Sequence, residues 1–176
     1  STENGWTCFN LPTTAPEKLV SVIKVDLQGK PEVDPCFALD PEVPTEILAN
    51  FATVTGATSK NKRWMEKFGE WKHCHQISQW EPGGSATWEV NVIQPGDYLV
   101  DLTYAGENRL VWSVAVEGGE TIQNQQNASH NYQSFPIGWL NFPKPGKYKV
   151  SVACLDGNFE TASLKSISFT AIPSKS

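Results

Sequence analysis

Aromatic rings and polar donors are interleaved in residues 60–80 and again in residues 121–139. Indole and phenol rings can stack on the apolar faces of pyranose sugars, while arginine, imidazole and amide groups hydrogen-bond the sugar hydroxyls. Ligand sites commonly combine apolar walls with a few placed polar groups in this way. The sequence therefore predicts a carbohydrate-binding site made of Arg63, Trp64, Trp71, His73, His75, Asn124, Gln126, Tyr132 and Trp139, with Trp80 as a further platform. The alternative is that these tryptophans belong to the core, since aromatic side chains dominate protein cores.

Glycoside hydrolysis would require two carboxylates about 5–10 Å apart across the scissile bond. Glu66 and Glu70 are the only acids within residues 60–80. On a helical turn their i, i+4 spacing would place them side by side. They are interleaved with Lys62 and Lys67, so we interpret them as part of a solvated charged face. We therefore predict that this chain holds no catalytic residue.

The run His73-Cys74-His75 raises the question of a metal site. On a strand the two imidazoles would point to one face, where they could bind zinc together with a third ligand such as His130. No such third ligand is identifiable, and the oxygen-rich loop typical of calcium is missing from the sequence. We therefore predict no metal and no cofactor, and we interpret Cys74 as a packed residue between two surface histidines.

The four cysteines are Cys8, Cys36, Cys74 and Cys154. No Cys-x-x-Cys pair occurs, which argues against a zinc ribbon or a redox motif. In an oxidising compartment they could form two disulfides, in any of three pairings. We favour free thiols, because Cys154 lies in an inward-facing row and free cysteine packs as a small hydrophobic residue.

Charge and hydropathy exclude two classes of partner. The 176 residues include 14 basic and 19 acidic side chains, for a net charge of −5. Nucleic-acid binding depends on neutralising phosphates, so this balance argues against it. No stretch reaches the ~18 apolar residues of a membrane span. No signal peptide is recognisable, and we expect the chain to be a mature form or an excised fragment.

Most of the chain shows the period-two alternation of half-buried strands. One apolar row runs through Trp88 and Val92, and another through Tyr98 and Tyr104, with Pro95-Gly96 predicting a tight turn between two strands. A second Pro-Gly-x-Tyr sequence begins another alternating run at Tyr148. These patterns predict an antiparallel β-sandwich of the jelly-roll type. Its predicted core includes Val100, Leu102, Trp112, Val114, Val150 and Val152.

Two regions differ in composition. Residues 1–46 combine a predicted strand at 19–27 with a proline- and acid-rich linker, and we interpret them as the remnant of a preceding β-sandwich. Residues 47–176 are predicted to form the jelly roll, beginning with an edge strand at 47–54. Within it, Gly69 breaks any long helix, so we predict a loop or short helical turn before it. A strand is predicted at 71–78, and residues 60–80 together are expected to connect across one end of the sandwich.

These residues also suggest a family. LPTTAPEKLVSVIKVDLQGKPEV at 11–33 resembles the end of the C-terminal β-sandwich of retaining α-L-fucosidases. Residues 63–172, with RWMEKFGEWKHCHQISQW and LNFPKPGKYKVSV, are similar to the extra module that follows that sandwich in some bacterial fucosidases. The resemblance implies a periplasmic or secreted parent enzyme, a fucosylated glycan and the parent's catalytic barrel as partners. The catalytic carboxylates of that barrel match nothing in this chain.

From the residues and the resemblance together, we predict a non-catalytic C-terminal module of a secreted glycoside hydrolase resembling α-L-fucosidase. Such a module would support glycan binding or domain docking while the parent enzyme hydrolyses fucosides. One alternative is a purely structural or oligomerisation β-sandwich without a ligand. Another is a free-standing, lectin-like glycan-binding protein.

Overall fold

The computed structural model describes residues 2–3, 6–7, 10–14, 22–26, 28–29 and 36–173. The chain divides into two units, Ser1–Asp34 and Pro35–Ser176. In the first unit, β1 (Thr2–Glu3) pairs antiparallel with β2 (Trp6–Thr7). Of the strand predicted at 19–27, residues 22–26 lie outside any assigned strand. The rest of that prediction falls outside the described residues.

The second unit is built from strands and one 3₁₀ turn, Ala49–Phe51. Its strands are β3 (Phe37–Leu39), β4 (Thr45–Leu48), β5 (Thr53–Thr55), β6 (Thr58–Lys67), β7 (Glu70–Ser78), β8 (Ser85–Val92), β9 (Gly96–Ala105), β10 (Asn108–Val116), β11 (Thr121–Ala128), β12 (Gln133–Phe142), β13 (Gly146–Gly157) and β14 (Ser163–Ala171). Among the described residues, no helix has the length and apolar character needed to span a membrane.

Two six-stranded sheets form the sandwich. Sheet I has the order β11-β10-β13-β8-β3, with β5 also paired to β8. Sheet II has the order β12-β9-β14-β7-β6, with β4 also paired to β14. All pairs in both sheets are antiparallel except β3–β8. The predicted all-β sandwich of jelly-roll type is confirmed.

The core lies between the two sheets, because successive side chains on a strand alternate between its faces. The predicted core residues Val100, Leu102, Trp112, Val114, Val150 and Val152 are all fully buried. Of the cysteines, Cys74 and Cys154 are free thiols, Cys36 Sγ donates to Oε2 of Glu89 at 3.6 Å, and Cys8 lies outside the described residues. Burial raises the pKa of Cys154 to about 12, so this thiol stays protonated at neutral pH and packs as an apolar residue.

The two Pro-Gly connections do not join neighbouring strands, and the predicted tight turn between 88–92 and 98–104 is wrong in this respect. β8 belongs to sheet I and β9 to sheet II, so Pro95-Gly96 carries the chain across the sandwich. Pro145-Gly146 does the same between β12 and β13. Both glycines have positive φ, 149° at Gly96 and 137° at Gly146, a backbone conformation that L side chains rarely adopt.

Each of these crossings is closed by a tyrosine. The hydroxyl of Tyr98 donates to the carbonyl oxygen of Gln94 at 2.8 Å, and that of Tyr148 donates to the carbonyl oxygen of Lys144 at 2.8 Å. A tyrosine that bonds back to the chain a few residues upstream is a recurrent corner device of β-sandwiches. The repeated Pro-Gly-x-Tyr pattern is therefore explained by two equivalent corners.

Tyr98→Phe is expected to lower the free energy of unfolding by about 1–2 kcal/mol, because the buried Tyr98 ring keeps its place while the carbonyl of Gln94 loses a part-buried hydrogen bond. Tyr148→Phe is expected to cost less than about 1 kcal/mol, since water can replace the hydroxyl at this more exposed corner. Urea unfolding of both variants measures the difference. Equal costs, or a larger cost at Tyr148, would contradict this account of the corners.

Two stretches differ from the sequence predictions. Residues 58–67 form the strand β6, whereas a loop or short helical turn was expected before Gly69. Within the segment expected to be a linker, β3 pairs with β8 and β4 pairs with β14. The second compact unit accordingly begins at Pro35 rather than at residue 47. That residues 1–34 belong to a preceding sandwich stays a prediction.

Candidate functional site

The β6–β7 hairpin stands at the edge of sheet II and separates from it along most of its length. β7 pairs with β14 only at Ile77, opposite Leu164. From Ser166 to Phe169, β14 pairs instead with β4. The side chains of β6 from Lys60 to Met65 are exposed or half-buried and alternate between the two faces of the hairpin, whereas β7 is buried from Gln76 to Ser78. We expected residues 60–80 to connect across one end of the sandwich, but most of them form this hairpin.

Cross-strand register assigns side chains to each face, because residues directly opposite in an antiparallel pair project to the same side. Lys62 lies opposite Cys74, and Trp64 lies opposite Lys72. These four residues share what we call the cleft face of the hairpin. Arg63 lies opposite His73, and Asn61 lies opposite His75, on the other face.

The cleft face forms one wall of a cavity of about 620 Å³, which we call the hairpin cleft. The opposite wall comes from the segment that leads into β12 and from β14. The cleft is lined by Lys62, Trp64, Lys72, His73, Cys74, His130, Asn131, Tyr132 and Lys165. Three residues of the predicted carbohydrate site line this cleft: Trp64 and Tyr132, together with His73, although the register of His73 with Arg63 assigns its side chain to the other face of the hairpin.

Tyr132 is held in place through its hydroxyl. The hydroxyl donates to Oε1 of Gln76 at 2.6 Å, and Oγ of Ser163 lies 2.9 Å from both atoms. Burial raises the pKa of Tyr132 to about 12, so the phenol remains a donor at neutral pH. Nζ of Lys62 lies 5.9 Å from the centre of the Tyr132 ring. The ring is thus a fixed wall of the cleft with a cation beside it.

Lys165 reaches the cleft through an irregularity in β14. The register between β14 and β9 shifts between Leu164 and Ser166, which leaves Lys165 as the extra residue of a bulge. Bulges re-aim single side chains and are common beside functional sites. This feature brings a cation from β14 to the cleft that the hairpin and Tyr132 enclose.

The other face of the hairpin holds three further predicted residues. The Arg63 guanidinium lies 4.4 Å from the centre of the Trp71 ring, in a cation–π contact. Both ring nitrogens of His75 are engaged, Nε2 with Ser59 Oγ at 2.7 Å and Nδ1 with Asn61 Oδ1 at 3.0 Å. The described residues contain no group of three or more metal-ligating side chains.

The remaining predicted residues lie elsewhere. Asn124 and Gln126 are on β11 in sheet I, and Asn124 Nδ2 donates to the carbonyl oxygen of Pro136 on β12 at 2.7 Å. That bond links the facing edges of the two sheets. Trp139, on β12, is 63% exposed but lies outside the hairpin cleft. Trp80 is only 4% exposed and packs edge-on against Trp112, so it is not a sugar platform.

Several lining residues were not in the predicted carbohydrate site. Lys62 and Lys72 belong to the stretch 60–72, whose excess of basic residues can be read directly from the sequence. His130 appeared only as a metal candidate. Lys165 gives no local signal, because its place in the cleft depends on the bulge in β14 and on the pairing of distant strands.

A second concavity of about 770 Å³ lies on the outer face of sheet I. It is lined by Phe51, Thr53, Thr87, Glu89, Ala115, Val116, Glu117, Lys149 and Ser151. Its one aromatic ring is that of Phe51, and Lys149 Nζ faces Glu117 Oε2 at 3.9 Å. Without a tryptophan or tyrosine in its lining, this surface matches the chemistry of a sugar platform less well than the hairpin cleft.

Neither a protein-family model nor a curated protein sequence matches the chain. The fold is similar to that of several solved structures. One is a GH26-CBM35 β-(1,4)-mannanase from Podospora anserina, with a TM-score of 0.59, 16% identity and coverage of 76% of this chain and 28% of that one. Another is the mosquito-larvicidal Cry4Aa toxin of Bacillus thuringiensis, with a TM-score of 0.61 and 16% identity. The match covers 80% of this chain and 25% of the toxin.

A third similar structure is a carbohydrate-binding module of the CBM6 type from Cellvibrio mixtus lichenase 5A, solved with cellotriose. Its TM-score is 0.56 at 14% identity, with coverage of 73% of this chain and 98% of the module. The present chain thus spans only about a quarter of the mannanase and the toxin, but matches the module over nearly its whole length. The second unit therefore has the β-sandwich fold of CBM6 carbohydrate-binding modules, a fold that also occurs within a toxin.

Proposed function

We propose that this chain is a non-catalytic glycan-binding module and that the hairpin cleft is its binding site. The observation that carries the proposal is the meeting of Trp64 and Tyr132 on one cleft, from a hairpin and from a segment far along the chain. A lining that combines two aromatic rings with polar and cationic groups suits a pyranose ring. A volume of about 620 Å³ also falls within the range of ordinary small-ligand sites.

The fold supports this proposal, because the similar structures include a mannanase with a CBM35 module and a CBM6 module from a lichenase. The rigid anchoring of Tyr132 adds to it, since a wall that is fixed before binding loses little conformational entropy when the ligand arrives. The bond from Tyr132 to Gln76, whose side chain is itself buried, provides that anchoring.

The identity of the parent enzyme is the finer part of the proposal. We take it to be a periplasmic or secreted glycoside hydrolase resembling α-L-fucosidase, with the module holding a fucosylated glycan near the catalytic barrel. The support is the resemblance of residues 11–33 and 63–80 to that family. The glycoside hydrolases among the similar structures include a mannanase and an exo-β-1,3-galactanase, so the fold is compatible with several specificities.

A docking role is the second candidate, and one surface favours it. At the tip of the β6–β7 hairpin, Phe68 is fully exposed, Trp71 is 50% exposed and Met65 is 46% exposed. Exposed apolar side chains grouped in this way often mark protein contacts. This tip lies away from the cleft face, so docking through it is compatible with a glycan in the cleft.

A glycan microarray probed with the labelled 176-residue chain tests the proposed function, with isothermal titration of soluble oligosaccharides for each hit. We expect saturable binding to a restricted set of glycans, and competition by the free oligosaccharide. Absence of binding on the array, together with silent titrations at millimolar oligosaccharide, would contradict the proposal and leave docking as the role of this module.

A further inference from the structure

Basic side chains dominate the hairpin cleft. Its lining includes three lysines and two histidines, namely Lys62, Lys72, Lys165, His73 and His130, and no aspartate or glutamate is among the lining residues that the structure describes. The chain as a whole carries a net charge of −5. The cleft is therefore locally opposite in charge to the protein that contains it.

Two of these lysines have no carboxylate partner in the described part of the chain. The described ion pairs of lysine and arginine join Lys24 to Asp26, Arg109 to Asp156, and Lys149 to Glu117, all outside the cleft. Lys62 instead has its Nζ beside the Tyr132 ring, and Lys165 is directed by the bulge in β14. Grouping cations without counter-charges costs electrostatic free energy, and an anionic ligand would reverse that cost.

The two histidines add less positive charge to the cleft than the lysines do. Nε2 of His130 lies 3.6 Å from Oε1 of Glu107, so a carboxylate next to the cleft offsets any charge on that imidazole. His73 pairs in register with Arg63, on the other face of the hairpin. Lys62 and Lys165 are therefore the residues that set the charge preference of the cleft.

We propose that the hairpin cleft selects an acidic glycan, one that carries a carboxylate or a sulfate on a pyranose ring. This inference rests on the proposed function, because it names the ligand class of the same site. Trp64 and Tyr132 hold the ring, while the ammonium groups of Lys62 and Lys165 hold the anionic group. Hydrogen bonds between ionised partners are roughly twice as strong as neutral ones, so the anion supplies much of the selectivity.

A single-stranded nucleic acid would use similar groups, since aromatic stacking and cations also bind nucleotides. The overall charge of −5 disfavours it, because a long polyanion extends beyond the cleft onto an acidic surface. An isolated anionic group on a sugar meets only the local cations. Nucleic-acid binding is therefore a contrary outcome of the experiment.

The experiment uses ligand pairs that differ only in charge, titrated into the 176-residue chain. Trigalacturonic acid is compared with its trimethyl ester, and a κ-carrageenan oligosaccharide is compared with its desulfated form. We expect at least one charged member to bind about tenfold tighter than its neutral partner, as a charge-assisted contact implies. The first pair reports on carboxylate and the second on sulfate. The preference should shrink as ionic strength rises, because both lysines are in contact with solvent.

Two variants test the residues. Lys62→Gln and Lys165→Gln should each remove most of the preference, so that the charged and neutral members of a pair bind with nearly equal affinity. Lys144→Gln is the matched control, because it removes the same charge at a distant position. Lys144 follows the C-terminal end of β12, whereas Tyr132 precedes its N-terminal end. We expect this variant to keep the preference for the charged member. Equal melting temperatures for the three variants exclude a folding defect as the cause.

Each contrary result is distinct. Equal binding of charged and neutral members would overturn the acidic-glycan inference and leave the glycan-binding proposal standing. Absence of binding to every sugar, on the array and in titration, would overturn both. A preference that survives in Lys62→Gln and Lys165→Gln, or binding of an oligothymidylate as tight as that of the acidic sugars, would overturn the inference.

Discussion

Trp112→Ala is expected to lower the free energy of unfolding by about 3–5 kcal/mol, the usual cost of removing a buried aromatic ring. Trp112 is fully buried on β10. Its ring lies 5.2 Å from that of Trp80, nearly perpendicular to it, and 5.2 Å from that of Tyr104 on β9. Because β10 and β9 belong to different sheets, this one side chain joins the two layers of the sandwich.

Urea unfolding followed by circular dichroism measures the effect, and Trp112→Phe is the matched variant. Nε1 of Trp112 has no hydrogen-bond partner within the described protein, so phenylalanine keeps the ring contacts and loses no hydrogen bond. We expect Trp112→Phe to cost less than about 1.5 kcal/mol. Trp139→Ala, which truncates an exposed ring, should stay within about 0.5 kcal/mol of the wild type.

The contrast between these variants decides the prediction. A cost for Trp112→Ala no larger than that for Trp139→Ala would contradict the packing described for the centre of the sandwich. A cost for Trp112→Phe close to that for Trp112→Ala would instead show that the indole N–H matters. In the expected case the melting temperature of Trp112→Ala falls by roughly 10 °C, as the loss of several kcal/mol implies for a domain of this size.

The core of the sandwich could be predicted from the sequence because its signal is local. Period-two alternation depends only on neighbouring residues, and it identified Val100, Leu102, Val150 and Val152 as facing inward. All are fully buried. Wherever one face of a strand is apolar and the other polar, the alternation specifies the buried face before any pairing is known.

Strand pairing could not be predicted in the same way. Pro95-Gly96 supplies a change of direction, and the same turn residues serve a hairpin or a crossing between sheets. The choice depends on the partners of the two strands. β8 pairs with β13, β3 and β5, whereas β9 pairs with β12 and β14. All of these partners lie outside the segment from β8 to β9, so no local pattern distinguishes the two arrangements.

β6 was missed for a different physical reason. It is an edge strand with two accessible faces, so it has no apolar row to alternate with a polar one. Its lysines and arginine are the charges that protect exposed sheet edges from pairing with other chains. Such a composition is also typical of a loop, and the sequence alone does not separate the two.

The candidate site was predictable only in part. Trp64 and Tyr132 were chosen for their chemistry, and the fold brings them to one cleft. Asn124 was chosen on the same ground, yet its amide bonds to the carbonyl oxygen of Pro136 at the sandwich edge. A polar side chain can bind a ligand or satisfy the backbone of its own fold. Which of these it does depends on tertiary packing rather than on local sequence.

Trp64→Ala is expected to weaken glycan binding by about thirtyfold, since truncating an aromatic anchor in a binding site typically costs about 2 kcal/mol. Trp64 is half-buried and lines the hairpin cleft together with Tyr132. Its removal takes away one of the two walls between which a ring would lie. Isothermal titration with the best oligosaccharide from the array measures the loss.

Two other tryptophans provide matched controls of the same chemistry. Trp71 lies on the other face of the hairpin beneath Arg63, and Trp139 lies on β12 outside the cleft. Trp71→Ala and Trp139→Ala should leave the dissociation constant within about twofold of the wild type, as for surface changes away from a site. A loss of affinity in either control as large as that in Trp64→Ala would place the glycan elsewhere on the surface.

Stability separates a binding role of Trp64 from a packing role. A half-buried ring at a cleft wall is expected to cost only about 1 kcal/mol of unfolding free energy when truncated. A ring that seals the core would cost several kcal/mol, as a buried tryptophan does. The hairpin separates from sheet II beyond Ile77, so Trp64 lies away from the main core and should follow the first pattern. A large fall in melting temperature with unchanged glycan affinity would show that Trp64 packs the fold and does not bind sugar.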